Sequence, residues 1–439
     1  FQAEDGIRER SPSRGLGDVY KRQLTDTVYQ LFSAMRHARI SLIFFGVFTI
    51  HISKISLSNF RNYKELELEL PKGTTIIQGD NGHGKSNLLE AAYMLSIAKS
   101  PRANIERDLI AKPSLENMNV GGIYSKVSSI VSTEETTDRL EIHYRSLPWE
   151  NADGFKTQKF IRVNGSPKRS SDLVGIQNTV LFTVDDLDLV FGRPSTRRRY
   201  LDILLSQVEK DYLKSLQKYQ NSLVQRNHLL KSIKDGMSSH DQLSFWDNSI
   251  ASYGAAIMSY RIKALYDLSE KSAPIHKRIS GIDEKMELRY KASIPTEDQS
   301  ESMDIESSIL TKLEISRPRD IAQGSTLSGP HRDDILIIIE GQDANRYASR
   351  GQARTSVLAL KFAEAAFLDE RRKSHPILLL DDLLSELDAT RRNHIVDYIG
   401  EYDQCIITTA EVDSIPKDFS DRSNFLNVNY GKISPNSNT

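Results

Sequence analysis

Gly79-Asp80-Asn81-Gly82-His83-Gly84-Lys85-Ser86 is the stretch on which the fold turns. A glycine, four residues of any kind and then Gly-Lys-Ser make the phosphate-binding loop pattern. Thr74-Thr75-Ile76-Ile77-Gln78 reads as the strand entering it, and Asn87-Leu88-Leu89-Glu90-Ala91-Ala92-Tyr93 as the helix leaving it. The glycines let backbone N–H groups turn inward around phosphate oxygens, and the helix N-terminus adds positive partial charge. The expected nucleotide contacts are Gly79, Asp80, Asn81, Gly82, His83, Gly84, Lys85, Ser86 and the adjoining Asn87. Lys85 would reach the terminal phosphates and the Ser86 hydroxyl would ligate Mg²⁺, so ATP and Mg²⁺ are the expected cofactors.

Far downstream, Ile377-Leu378-Leu379-Leu380-Asp381-Asp382 is a continuous apolar strand ending in two carboxylates. Such a run suits the centre of a parallel sheet. Asp381 is the candidate holder of Mg²⁺, and Asp382 the candidate for orienting or deprotonating the attacking water. Ser349-Arg350-Gly351-Gln352 opens a helix shortly before that strand and resembles the signature of ABC-type ATPases; Ser349, Gly351 and Gln352 are its site candidates. Ser385-Glu386-Leu387-Asp388 resembles the loop that crosses the dimer interface in that class. There, the signature of one subunit closes over the ATP held by the other. A helix N-terminus and a serine hydroxyl are suited to stabilising a γ-phosphate.

The chain has 439 residues, with 38% hydrophobic and 27% charged, enough for two or three soluble domains. Its single cysteine, Cys405, excludes an intrachain disulfide framework and reads as a small core residue in a buried strand. A net charge of −1 neither supports nor excludes a nucleic-acid partner, since a local basic surface can sit on a neutral protein.

Residues 1–50 look foreign to the domain. The first 23 resemble a translated sequencing-library adapter, and the apolar run from Ile40 to Ile50 has about half the length of a membrane span. A native start close to His51 is expected. From there the pattern becomes regular. His51–Leu57 and Leu66–Leu70 alternate as half-buried strands, with Asn59-Phe60-Arg61-Asn62-Tyr63 as the turn between them. Further strands are expected at 140–144, 159–163, 179–182, 335–339 and 404–409. From Ser195 the apolar spacing becomes helical. The expected organisation is an ATPase N-terminal lobe over 51–194, a mainly helical insertion over 195–318, a C-terminal lobe over 319–431 and a tail over 432–439. The fold class is α/β, an ABC-type P-loop ATPase head split by a helical insertion.

Several runs taken together resemble the RecF family of SMC/Rad50-like ATPases, from about His51 to Gly431. They are Asn59-Phe60-Arg61-Asn62-Tyr63, Val180-Leu181-Phe182-Thr183-Val184-Asp185-Asp186-Leu187, Arg197-Arg198-Arg199-Tyr200-Leu201-Asp202, Gly329-Pro330-His331-Arg332-Asp333-Asp334 and the nucleotide motifs above. The resemblance implies an ATP-dependent homodimer in the cytoplasm that binds double-stranded DNA near single-strand gaps. It also implies work with RecR and RecO in loading RecA, without a membrane partner, and slow, DNA-stimulated hydrolysis that acts as a release switch. It further makes Arg61 a candidate for phosphate contact. Arg350 stands where transporter ATPases carry glycine, Asp382 where many ABC ATPases carry glutamate, and Thr408-Thr409 where transporters carry a switch histidine. The competing readings are an ABC transporter subunit, an SMC/Rad50-like head with another partner, and an overcoming-lysogenization-type nuclease. The insertion is longer than expected for the first, the long coiled-coil arms expected of the second are not read in this sequence, and the nuclease domain of the third is not expected in the stretch after Asp388.

Overall fold

The structure, a computed structural model, describes residues 49–111, 123–148, 155–294, 302–412 and 415–435. The expected foreign start falls outside these, Thr49 and Ile50 excepted, as does the end of the tail from residue 436. Strands are numbered in chain order below, as are the helices of more than ten residues.

β1 (His51–Phe60) and β2 (Tyr63–Glu69) form a hairpin, β3 (Gly73–Gln78) runs into the phosphate loop, and α1 (Lys85–Ile97) leaves it. β4 (Ile123–Ser132), β5 (Thr137–Pro148), β6 (Phe155–Val163) and β7 (Ser166–Lys168) complete an antiparallel sheet in the order β2-β1-β4-β5-β6-β7. After β8 (Thr179–Phe182) come α2 (Pro194–Val208), α3 (Lys210–Lys234), α4 (Leu243–Ser280), β9 (Met286–Lys291) and α5 (Ser302–Gln323). β10 (Asp334–Ile339) pairs antiparallel with β9 and with β11 (Gln342–Asp343), so the mainly helical stretch contributes one strand to a small three-stranded sheet. α6 (Arg350–Arg372), β12 (Ile377–Asp381), α7 (Ala389–Ile399), β13 (Gln404–Thr409), β14 (Asn424–Asn429) and β15 (Lys432–Pro435) follow.

The central sheet has the order β15-β14-β3-β13-β12-β8. All its strands are parallel except the edge strand β15. Ligands of open parallel sheets bind beyond the carboxyl ends of the strands. Here β13 lies between β3 and β12, with Thr409 in register with Gln78 and Thr408 in register with Asp381. The pairing therefore delivers the phosphate loop and the acidic strand end, some 300 residues apart in sequence, to the same edge.

Alternation along these strands builds two cores. Ile76, Leu378, Leu380, Cys405 and Ile407 face α6 and the helical insertion, where Leu358 and Phe362 meet them. Ile77, Leu379 and Ile406 face α1, through Leu88, Leu89 and Leu95, and beyond it Ile55, Leu57, Val127 and Ile142 of the antiparallel sheet. α1 is buried on both sides, so the residues at its start are held rigidly.

The two stretches that resemble the RecF family most specifically meet each other. The Arg197 guanidinium, on α2, donates to both carboxylate oxygens of Asp334 at 2.8 and 3.0 Å and is buried at 7% exposure. Arg198 donates to the Asp333 carbonyl at 2.6 Å, while Tyr219 on α3 and Nδ1 of His331 are 2.6 Å apart. Gly329 has φ +128°, and a β-carbon there would lie 2.7 Å from the Tyr219 hydroxyl. These runs form a joint between α2, α3 and β10. Among the described residues no helix is long and apolar enough to cross a membrane.

Candidate nucleotide-binding site

Two glycines in the loop are required by space. A β-carbon on Gly79 would lie 2.4 Å from the Val428 carbonyl oxygen of β14. Gly84 has φ +115°, and a β-carbon there would lie 2.5 Å from the Asn62 amide and 3.0 Å from the Tyr63 hydroxyl. Those same side chains brace the loop. Asn62 Nδ2 donates to the His83 carbonyl at 3.0 Å, and Tyr63 Oη to the Gly84 carbonyl at 3.0 Å. Asn87 Nδ2 donates to Asn62 Oδ1 at 2.8 Å, and the Gly431 amide to the His83 carbonyl at 3.0 Å. The loop is thus fastened from the β1–β2 turn and from the β14–β15 turn. The His83 ring lies 4.2 Å from that of Tyr430.

Lys85 is buried and donates to the Gly79 carbonyl at 2.5 Å and the Asp80 carbonyl at 3.1 Å, spanning the mouth of the loop. Burial pulls its ammonium below the ordinary lysine range, against the opposing charges of Asp382, Asp381 and Asp80.

Ser86 Oγ donates to Asp381 Oδ1 at 2.8 Å, which joins the two halves of the expected site. Thr408 Oγ1, buried in β13, donates to the same oxygen at 2.8 Å, and Arg102 forms an ion pair with Oδ2. A hydroxyl and a carboxylate oxygen within hydrogen-bond distance are the hard oxygen donors that Mg²⁺ takes when substrate phosphates complete its shell. The residues present fit that ion.

Asp382 has φ +50°, an uncommon backbone for a non-glycine residue, held by its amide on the Thr408 carbonyl and hydroxyl oxygens, each at 3.1 Å. Its Oδ1 accepts from Ser385 Oγ at 3.0 Å. The second carboxylate is thereby turned away from the strand direction and steadied by the loop that follows.

Arg61 has φ +53° and directs its side chain to Glu90 of α1, with Nε to Oε2 at 3.0 Å and Nη2 to Oε1 at 2.8 Å. Its Nη1 donates to the Asp108 carbonyl at 3.0 Å. The turn carrying Arg61 also carries Asn62 and leads into Tyr63, so these contacts support the loop from behind.

Ser349 caps α6: its Oγ accepts from the Gln352 amide at 3.2 Å, and its own amide donates to Gln352 Oε1 at 3.0 Å. Gln352 Nε2 donates to Glu284 at 2.8 Å. A β-carbon on Gly351 would meet nothing nearer than the Arg391 guanidinium at 3.9 Å. Ser349 and Arg350 are exposed at the helix start. Among the described residues no hydrogen bond joins Ser349, Gly351 or Gln352 to the phosphate loop. Asp388, at the end of the expected crossing loop, caps α7 by accepting from the Arg391 amide at 3.0 Å.

Arg102, Thr408, Glu90 and Ser100 surround the site and were not among its expected residues. Glu90 had a signal, an acid one turn beyond Ser86 in a run from Leu88 to Leu95 that is otherwise apolar. Arg102 had none, because its partner lies 279 residues away.

The family model for the RecF/RecN/SMC N-terminal domain matches residues 51–424. The DNA replication and repair protein RecF of Roseiflexus castenholzii is 38% identical over 393 residues, covering 88% of this chain and 100% of that protein. The RecF protein of Bacillus cereus (strain B4264) is 36% identical over 387 residues, covering 87% and 98%. Among solved structures, that of the recombination mediator protein RecF-ATP in the RecFOR pathway superposes with a TM-score of 0.79 at 32% identity, covering 89% of this chain and 98% of that one. An Smc head domain from Pyrococcus furiosus shares the fold, with a TM-score of 0.50 at 19% identity. With its phosphate loop, acidic strand end and insertion in this arrangement, and with relatives alike over their whole length, the chain belongs to the RecF family of DNA replication and repair proteins.

Proposed function

We propose that this protein is an ATP-dependent DNA-binding switch of recombinational repair and replication-fork maintenance, acting in the cytoplasm. The observation that carries the reading is the 2.8 Å contact between Ser86 and Asp381, which unites phosphate loop and acidic strand end at the carboxyl edge of a parallel sheet. Support comes from relatives named DNA replication and repair protein RecF and from the likeness to RecF-ATP of the RecFOR pathway.

In this reading the backbone of Gly79–Lys85 and the N-terminus of α1 cradle the phosphates. Lys85 exchanges the Gly79 and Asp80 carbonyls for phosphate oxygens. Ser86 and Asp381 hold Mg²⁺, which when bound neutralises phosphate charge. Asp382, steadied by Ser385, orients the attacking water; its short side chain suits slow turnover. Ser349, Gly351 and Gln352 act on ATP bound by a second copy, so two sites are completed only in a two-fold dimer. ATP then stabilises the dimer on duplex DNA near single-strand gaps, and DNA-stimulated hydrolysis releases it. RecR and RecO are the expected partners and RecA loading the outcome.

ATP turnover and sedimentation of the full chain, with and without gapped duplex, test this. ATP-dependent dimerisation and DNA-stimulated turnover are expected, with turnover lost in Lys85→Arg. A protein that binds ATP but ignores DNA at low salt would sink the repair reading.

A further inference from the structure

Asp381 already has a cation. Its Oδ1 is taken by Ser86 and Thr408, and its Oδ2 by the Arg102 guanidinium. Arg102 is not placed there by chance contact. Ser100 Oγ accepts from the Arg102 amide at 3.0 Å and the Ala103 amide at 2.7 Å, which fixes the loop after α1. The same hydroxyl donates to Glu90 Oε1 at 2.5 Å. Glu90 is 1% exposed and is clamped on both oxygens by Arg61. A continuous chain of contacts therefore runs from the β1–β2 turn through α1 to the loop that aims Arg102 at Asp381. Glu90 and Ser100 are buried, whereas the Arg102 side chain is 33% exposed and so has one side open to solvent.

A guanidinium and a divalent ion on the same carboxylate, a few ångströms apart, repel each other strongly. We propose that Arg102 is a built-in counter-cation of Asp381 that competes with Mg²⁺, and that the Arg61–Glu90–Ser100 latch sets how much Mg²⁺ is needed to displace it. This rests on the reading of Ser86 and Asp381 as metal-holding residues. Arg61, Glu90 and Ser100 are positioning residues in this scheme. The competitor reduces the metal-competent fraction of the protein, and the apparent metal affinity falls by that fraction.

The test is equilibrium binding of a fluorescent ATP analogue to the full chain across a Mg²⁺ titration, for the unaltered protein, Arg102→Ala, Arg102→Lys and Ser100→Ala. Arg102→Ala should lower the Mg²⁺ midpoint about fivefold while leaving nucleotide affinity at saturating Mg²⁺ unchanged. Ser100→Ala should move it the same way by about twofold, and Arg102→Lys should stay near the unaltered protein. The thermal midpoint, read alongside, should rise more with Mg²⁺ in Arg102→Ala than in the unaltered protein. If nucleotide binding weakens at every Mg²⁺ concentration in Arg102→Ala and its midpoint does not fall, Arg102 touches nucleotide instead and the competition idea is overturned. If the unaltered protein binds no analogue at any Mg²⁺ concentration, the ATP reading falls and this inference with it. An unaltered protein that binds normally, with no midpoint shift in either alanine variant, removes the inference alone.

Discussion

Two arginine–carboxylate clusters in this molecule use the same chemistry in opposite ways. In the helical insertion Arg226 of α3 is fully buried, donating to Asp247 of α4 at 2.7 Å, to Asp320 of α5 at 2.8 Å and to the Thr326 hydroxyl at 2.9 Å. Arg317 donates to the other oxygen of Asp247 at 2.9 Å, and the Leu327 amide to the other oxygen of Asp320 at 3.2 Å. At the phosphate loop, Asp381 is equally well surrounded, but its cation Arg102 sits at the surface. A charge enclosed on every side has nowhere to go, so the first cluster welds three helices into one body. A charge with one side in water can be exchanged, so the second suits a site that must take up a ligand.

The sharpest way to break that contrast is Asp320→Ala. It removes one of the two carboxylates that pair with the Arg226 guanidinium in a place water does not reach, leaving Asp247 alone to balance it, and a stability loss of about 3–5 kcal/mol is expected by urea denaturation. A loss under about 1 kcal/mol would mean that the insertion cluster relaxes as easily as a surface pair.

Asp381→Asn should do the reverse. Its partner Arg102 turns to solvent, so stability changes by about 1 kcal/mol or less. ATP turnover, if the proposed mechanism holds, falls by about 100-fold or more. A variant that unfolds while the remaining folded fraction turns over ATP normally would place Asp381 among the structural acids.

The joint between α2, α3 and β10 offers a pH test. Burial pushes His331 down to about 4, with the nearby charges of Arg332, Arg198 and Arg226 adding to the shift and the Thr326 carbonyl opposing it. The neutral ring suits its contacts: Nε2–H donates to the Thr326 carbonyl at 3.1 Å, leaving Nδ1 to accept from Tyr219. The unfolded chain takes up a proton near pH 6.5 that the folded chain refuses, so this contribution is present above pH 6.5 and is lost as pH falls towards 4. The loss should amount to no more than about 3 kcal/mol. Urea midpoints at pH 7 and pH 5 for the unaltered protein and His331→Gln check this: the acid sensitivity should shrink in the variant.

Arg199→Ala should have the smallest effect, under about 0.5 kcal/mol, because the side chain is exposed and its one hydrogen bond among the described residues is to the Ser100 carbonyl at 3.2 Å. Arg197→Ala, two residues away, removes the partner of Asp334 from a buried pair and should cost several times more. Equal effects would show that burial does not separate these neighbours.

Local pattern made much of this legible. The alternation of β1 and β2, the apolar run of β12, the Gly-rich loop and the helical spacing after Ser195 all depend on neighbours within a few residues, and each corresponds to an observed element. The strand β9 inside the mainly helical stretch was not anticipated. Met286-Glu287-Leu288 is short, and its partners in β10, Ile337 to Ile339, lie about 50 residues downstream. Arg197, Arg198 and Arg199 are consecutive and chemically identical, yet Arg197 is buried against Asp334 while Arg199 faces solvent.

By itself the sequence determined that the chain carries a phosphate loop and a matching acidic strand, split by a long insertion, because those signals are spacing rules along a few turns of backbone. Only the tertiary structure decided that Thr408 holds Asp381, that Arg61 clamps Glu90, and that Arg102 neutralises the carboxylate beside Ser86. The reason is physical. Ion pairs and hydrogen bonds act over about 3 Å of space regardless of separation along the chain, so their partners are chosen by strand order and packing.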